Sequence, residues 1–134
     1  MTHGFHEREI TVRSSNGRDD TLVDDLHFTT AGGTLYRVAA GSTTDGMSTP
    51  GALHGIPGFE PTGRHWFSAV LHDAAYRGTL ERFHLTSYIR ANLTRAAADA
   101  LFREALATQG VGLIRRTIIW SALRAFGWPN YRKP

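Results

Sequence analysis

The chain has no cysteine, which excludes both a disulfide framework and a thiolate metal site. It has one lysine, Lys133, against fourteen arginines, so its cations are almost all guanidinium groups. No run of about 18 apolar residues occurs, and none of it reads as a membrane span. Met1 to Glu9 carry His, Glu and Arg where a secretory signal needs an apolar centre, so no Sec export is expected. Internal repeats and low-complexity segments are also lacking.

What is present fits one globular domain over residues 1–134. A hydrophobic fraction of 41% and an aromatic fraction of 10% are far from disordered compositions. A chain of this length buries roughly two-thirds of its unfolded surface. The net charge of +3 is unevenly spread. Residues 1–50 hold four arginines and seven acids, whereas 95–134 hold six arginines and Lys133 against Asp99 and Glu104. That C-terminal charge fits either a solvated helix face or attraction to an anionic surface such as phospholipid or nucleic acid. No specific nucleic-acid recognition is expected.

Along the chain, Glu9 to Arg13 alternate polar and apolar and predict a strand. Asn16-Gly17 predicts a tight turn. Thr21 to Thr30 predicts a second strand with Leu22, Leu26 and Phe28 on one face, and Thr34 to Val38 a third. Residues 1–40 are thus expected to form a small antiparallel sheet. From Gly41 to Gly63 six glycines and three prolines predict a long loop of the kind that carries function. A helix is expected over 66–77, with apolar residues at 66, 69, 70 and 74 and Gly78 as its cap. Residues 79–93 give no clear pattern. Thr94 is a good N-cap for a helix over 95–108, whose stripe is Ala98, Leu101, Phe102, Ala105 and Leu106 and which Gly110 ends. A third helix, about 111–126, is expected to bury Val111, Ile114, Ile118, Ala122 and Ala125 and to stop at Gly127. The fold class is α+β: a β-rich part, a Gly/Pro loop, then three helices over 64–128.

The 66–77 helix sets His72, Asp73 and Tyr76 into one short segment. Tyr76 lies four residues after His72 and three after Asp73, so it neighbours both. His72 and Asp73 diverge by about 100° around the helix axis and suit separate roles. A histidine that activates water needs its tautomer fixed, commonly by a carboxylate on its other nitrogen. Asp99, beside the apolar stripe of the 95–108 helix, is the expected carboxylate, with Tyr76 bonding to it. Asp73 near a carbonyl-rich loop suits a hard cation such as Ca2+, which would polarise an ester carbonyl.

Other readings of these residues stay open. His72 and Asp73 also fit a structural pair, Asp99 an acid favoured by the helix dipole, and Asp45-Gly46 a simple turn. His65 with Asp73 would make a transition-metal pair if both faced the same side. Trp120 fits the core; together with Phe126, Trp128 and Arg115-Arg116 it also fits an interfacial membrane surface.

His72-Asp73-x-x-Tyr76, followed by Ala98-Asp99-x-x-Phe102, resembles the catalytic helices of phospholipase A2, in its viral-capsid and small bacterial forms. The resemblance implies His72 as general base, Asp99 as its orienting carboxylate, Tyr76 as support for Asp99, and Asp73 as a calcium ligand with loop carbonyls. Gly55-Ile56-Pro57-Gly58 is the candidate calcium loop. A broader pattern is similar to uncharacterised phage and prophage proteins. It runs Thr44-Asp45-Gly46-Met47-Ser48-Thr49-Pro50, the His-Asp helix, then Arg124 to Trp128. Asp45, Gly46, Ser48, Gly55 and Gly58 are the loop candidates.

Together these imply a calcium-dependent phospholipid hydrolase acting on anionic phospholipid. The alternative is a non-catalytic virion or assembly protein (tail, neck or baseplate) partnered by other virion proteins. Its expected place is the host cytoplasm or the phage virion.

Overall fold

A computed structural model describes residues 3–14, 20–44, 66–128 and Tyr131. Among these residues the elements run β1 (Gly4–Phe5), β2 (Val12–Ser14), β3 (Asp20–Leu22), β4 (Leu26–Thr29), β5 (Leu35–Val38), β6 (Thr43–Thr44), α1 (Trp66–Arg77), β7 (Glu81–His84), β8 (Ser87–Arg90), α2 (Arg95–Thr108) and α3 (Leu113–Phe126). The class is α+β, as expected.

The β part is larger than the sequence suggested. A five-stranded antiparallel sheet has the order β1-β4-β5-β7-β8, and a smaller one has the order β2-β3-β6. The expected strand over 21–30 divides into β3 and β4, one in each sheet. Two adjacent carboxylates break it. Asp24 accepts from the Thr11 N–H at 2.8 Å and Asp25 from the Ala40 N–H at 2.6 Å, and both bonds draw the chain out of the ladder. The segment without a clear pattern, 79–93, is the β7–β8 hairpin. It was hidden because its turn begins with Leu85, which adopts φ 58° where glycine is the usual choice. β6 lies inside the stretch expected to be loop.

The core sits where α1 crosses the five-stranded sheet. Leu26, Phe28 and Val38 of the sheet meet Val70, Leu71, Ala74 and Ala75 of α1, and Ala98, Leu101 and Ala105 of α2 close the other side. α1 is buried almost all round, since only Trp66, Phe67, Asp73 and Arg77 keep appreciable exposure. α2 follows its predicted stripe, with Ala98, Leu101, Phe102, Ala105 and Leu106 buried. Thr94 caps it by accepting from the Ala97 N–H at 3.1 Å.

α3 departs from expectation in its orientation. Val111 is buried as predicted, but the helix turns Ile119 and Leu123 into a second cluster with Phe102 and Leu106. Ile114, Ile118 and Ala125 face solvent instead, and Ala122 is half-buried. Trp120 is half-buried, and the Arg103 guanidinium lies 5.2 Å from the centre of its ring.

Candidate functional site

α1 presents Ser68, His72 and Tyr76 at four-residue spacing, so the three side chains line one ridge of the helix. All three are buried, and all three bond to α2. Gln109, at the C-terminal end of α2, accepts from the Ser68 N–H at 3.2 Å and from its hydroxyl. His72 and Tyr76 reach Asp99, near the N-terminal end of α2. The two helices therefore run antiparallel, joined by polar rungs along an otherwise apolar seam.

The lower rung is the candidate site. His72 Nε2 lies 2.9 Å from Asp99 Oδ1, and the Tyr76 hydroxyl donates to the same oxygen at 2.6 Å. Asp99 Oδ2 accepts from Arg124 of α3 at 3.0 Å, with Arg95 at 3.8 Å. Asp99 has no exposed surface, and its charge is met by four donors or cations. The His72 ring lies 4.1 Å from the Tyr76 ring and 4.7 Å from Phe102, which confine it on both sides. Tyr131 meets Tyr76 edge-on at 5.5 Å and donates to the Leu93 carbonyl at 2.6 Å. Gly127 packs so closely that an added Cβ would come within 2.9 Å of the Tyr76 hydroxyl and 2.6 Å of the Leu123 carbonyl. The sequence reading gave Gly127 the role of a helix stop and a place in the Arg124 to Trp128 pattern, with no contact to Tyr76.

The electrostatics follow from this packing. Burial favours the uncharged imidazole and holds the proton affinity of His72 below the ordinary histidine value, although Asp99 pulls it the other way. Burial also works against the Asp99 charge, but the bonds from His72, Tyr76 and Arg124 outweigh it and keep the carboxylate ionised. Tyr76 is held firmly protonated, by burial first and by the neighbouring carboxylate second. The arrangement is a neutral imidazole on a fixed anion. An ionised carboxylate only accepts, so Nε2 carries the hydrogen and Nδ1 the lone pair. Nδ1 makes no hydrogen bond among the described residues, and the side chain keeps 10% of its surface exposed.

Of the residues singled out in the sequence, the structure brings His72, Tyr76 and Asp99 together. It sets Asp73 apart from them, one turn from Arg77, whose Nε approaches its carboxylate at 3.2 Å. Asp45, Gly46, Ser48, Gly55, Gly58 and His65 lie outside the described residues. Among the described residues no three or more His, Cys, Asp or Glu side chains are placed to hold a metal ion. Sequence reasoning missed Arg95 and Arg124. Arg95 stands four residues before Asp99 and was legible as a helix ion pair. Arg124 arrives from another helix, and the sequence placed it only in the Arg124 to Trp128 pattern, with no link to Asp99.

No curated protein and no solved structure matches the chain. A family model described as "Protein of unknown function (DUF1353)" matches residues 21–123, a span that contains His72, Tyr76, Arg95 and Asp99 and stops one residue short of Arg124. The chain belongs to this family.

Proposed function

We propose that the protein is an ester hydrolase of phospholipase A2 type, with His72 as the base that activates water and Asp99 as the group that orients it. One observation carries the reading. A single buried carboxylate oxygen, Asp99 Oδ1, takes both His72 Nε2 and the Tyr76 hydroxyl, which leaves Nδ1 as the basic atom. The neutral state of the buried imidazole supports it, since only that state accepts a proton.

In the reaction Nδ1 removes a proton from water as the water oxygen bonds to the ester carbonyl carbon. The same proton then passes to the alcohol oxygen as the carbon–oxygen bond of the ester breaks, giving acid and alcohol and restoring neutral His72. Asp99 balances the transient imidazolium, while Tyr76 and Arg124 keep the carboxylate from rotating.

The phospholipid substrate and a calcium ion at Asp73 rest on the resemblance of the His72-Asp73-x-x-Tyr76 helix. Asp73 pairs with Arg77, and the loop carbonyls that would complete a calcium site lie outside the described residues. No step above is routed through the ion.

The test is fatty-acid release from phosphatidylglycerol vesicles, with and without calcium, by wild type and by His72→Ala. Release that depends on His72 supports the proposal, and release that survives the substitution sinks it. A second reading, a non-catalytic phage virion or assembly protein, rests on the pattern shared with phage and prophage proteins, and one observation fits its lack of catalysis. Asp99 ties α1, α2 and α3 together and so also serves as a structural pin. Mass spectrometry of purified virions tests it, and absence of the protein from them removes it.

A further inference from the structure

A surface helix ordinarily shows one apolar stripe and one charged face. α3 does not. Ile119 and Leu123 cover its inner side, while Ile114, Ile118, Ser121 and Ala125 recur at intervals of four, three and four residues along the side turned outward. Ile114 is 79% exposed and Ile118 51%, with Leu113 at 60% at the start, Phe126 at 62% at the last residue and Trp128 at 67% just past the end. The outward stripe itself contains no charged residue. These are the largest exposed apolar side chains grouped on any one described helix, and such a patch marks an interaction surface.

The charged residues of α3 itself are all arginine. From residue 105 to 134 the sequence carries Arg115, Arg116, Arg124, Arg132 and Lys133 and neither aspartate nor glutamate. Arg115 is exposed at the edge of the apolar face. Arg116 bonds the Val111 carbonyl and Arg124 bonds Asp99, so these two are partly committed within the fold. A second copy of the chain is a poor occupant, because pairing two α3 helices would set arginine against arginine with no carboxylate between them. A convex ridge of isoleucines, flanked by arginine and ending in phenylalanine and tryptophan, matches the boundary between anionic headgroups and acyl chains.

We propose that the outer face of α3 docks on an anionic phospholipid bilayer. Ile114 and Ile118 enter the acyl boundary, Phe126 and Trp128 sit at headgroup level, and Arg115 meets lipid phosphate. The inference shares its lipid partner with the proposed hydrolysis but rests on α3 alone, and docking requires no reaction. Because α3 also supplies Arg124 to Asp99, the docking helix is one wall of the candidate site.

The experiment is co-sedimentation of the full chain with vesicles of equimolar phosphatidylcholine and phosphatidylglycerol, against vesicles of phosphatidylcholine alone. Wild type is expected to bind the anionic vesicles, to bind the neutral ones far more weakly, and to be released by salt. Ile114→Glu with Ile118→Glu should lower the affinity by about tenfold or more, since burying carboxylates at the acyl boundary opposes insertion. Arg115→Glu should give a smaller loss and a weaker dependence on salt. His72→Ala should bind as wild type does, so failure of docking and failure of hydrolysis are read separately. Equal binding to both vesicles, or wild-type affinity in the double glutamate variant, overturns the proposal. So does a dimer in sedimentation equilibrium that the double variant dissolves, which would assign the face to a second copy.

Discussion

The α1–α2 seam and the outer face of α3 invert the usual distribution of side chains in opposite ways. In the seam, a histidine, a tyrosine, a serine and an aspartate are buried where apolar residues would pack more simply. On α3 and just past its end, two isoleucines, a phenylalanine and a tryptophan are exposed where charged residues would be expected. The seam tolerates its polar groups because donors and acceptors converge there from three helices. The α3 face has nothing described against it. Buried polar groups and exposed apolar patches are the two departures from ordinary packing that carry information.

The sharpest way to break the contrast is Asp99→Ala. It leaves His72, Tyr76, Arg95 and Arg124 facing a void, and removing one member of a buried charge network costs about 3–5 kcal/mol. Urea denaturation should show this loss, and a cost under about 1 kcal/mol would mean that the carboxylate is not the hub of the seam.

Tyr76→Phe is the gentler form of the same test. It removes one hydrogen bond to a charged acceptor, worth about 1.5–3 kcal/mol, and keeps the ring against His72 and Tyr131. A stability equal to wild type would show that Asp99 is held by His72 and the arginines alone.

Acid titration tests the electrostatics of the seam. Folding lowers the proton affinity of His72, so between its folded value and the ordinary value of about 6.5 the unfolded chain binds more protons. Stability is therefore complete above about pH 6.5 and falls as pH drops through that window. Asp99, also held low, adds a second loss only at more acidic pH, below the ordinary carboxylate range of about 3.9. His72→Gln should remove the first slope and keep the second, measured by thermal denaturation across pH. An unchanged first slope would assign it to another group.

The smallest expected effect on stability belongs to the other region. Ile118→Glu changes an exposed side chain and should shift unfolding by no more than about 0.5 kcal/mol. Its consequence should be confined to vesicle binding. A large loss of stability would show that the α3 face is covered within the monomer, and the comparison would fail.

Much of the fold was legible where neighbours in sequence are neighbours in space. The bounds of α1 and α2, the Thr94 cap and the α2 stripe all depend on residues three or four apart, so periodicity and capping chemistry settle them. The approach of Tyr76 to the carboxylate that holds His72 was legible in part. The i, i+4 spacing sets the two side chains on one ridge, although it does not name Asp99 as their partner.

The sequence by itself therefore determined the helices, the class of the fold, and a histidine, a tyrosine and an aspartate whose types suit one another. Only the tertiary structure decided the rest. α3 carries two apolar stripes, and periodicity is equal for both; contact with Phe102 and Leu106 selects Ile119 and Leu123 as the buried pair. The hairpin around Leu85 forms because β7 finds β5, pairing Tyr36 with Arg82 and Arg37 with Glu81 across distant parts of the chain, which pays for a turn the local sequence disfavours. Arg124 reaches Asp99 only because α3 folds back over α2, 25 residues along the chain. Such contacts depend on where whole elements dock. Burial of apolar surface fixes that docking across the molecule, and no short window of residues contains the information.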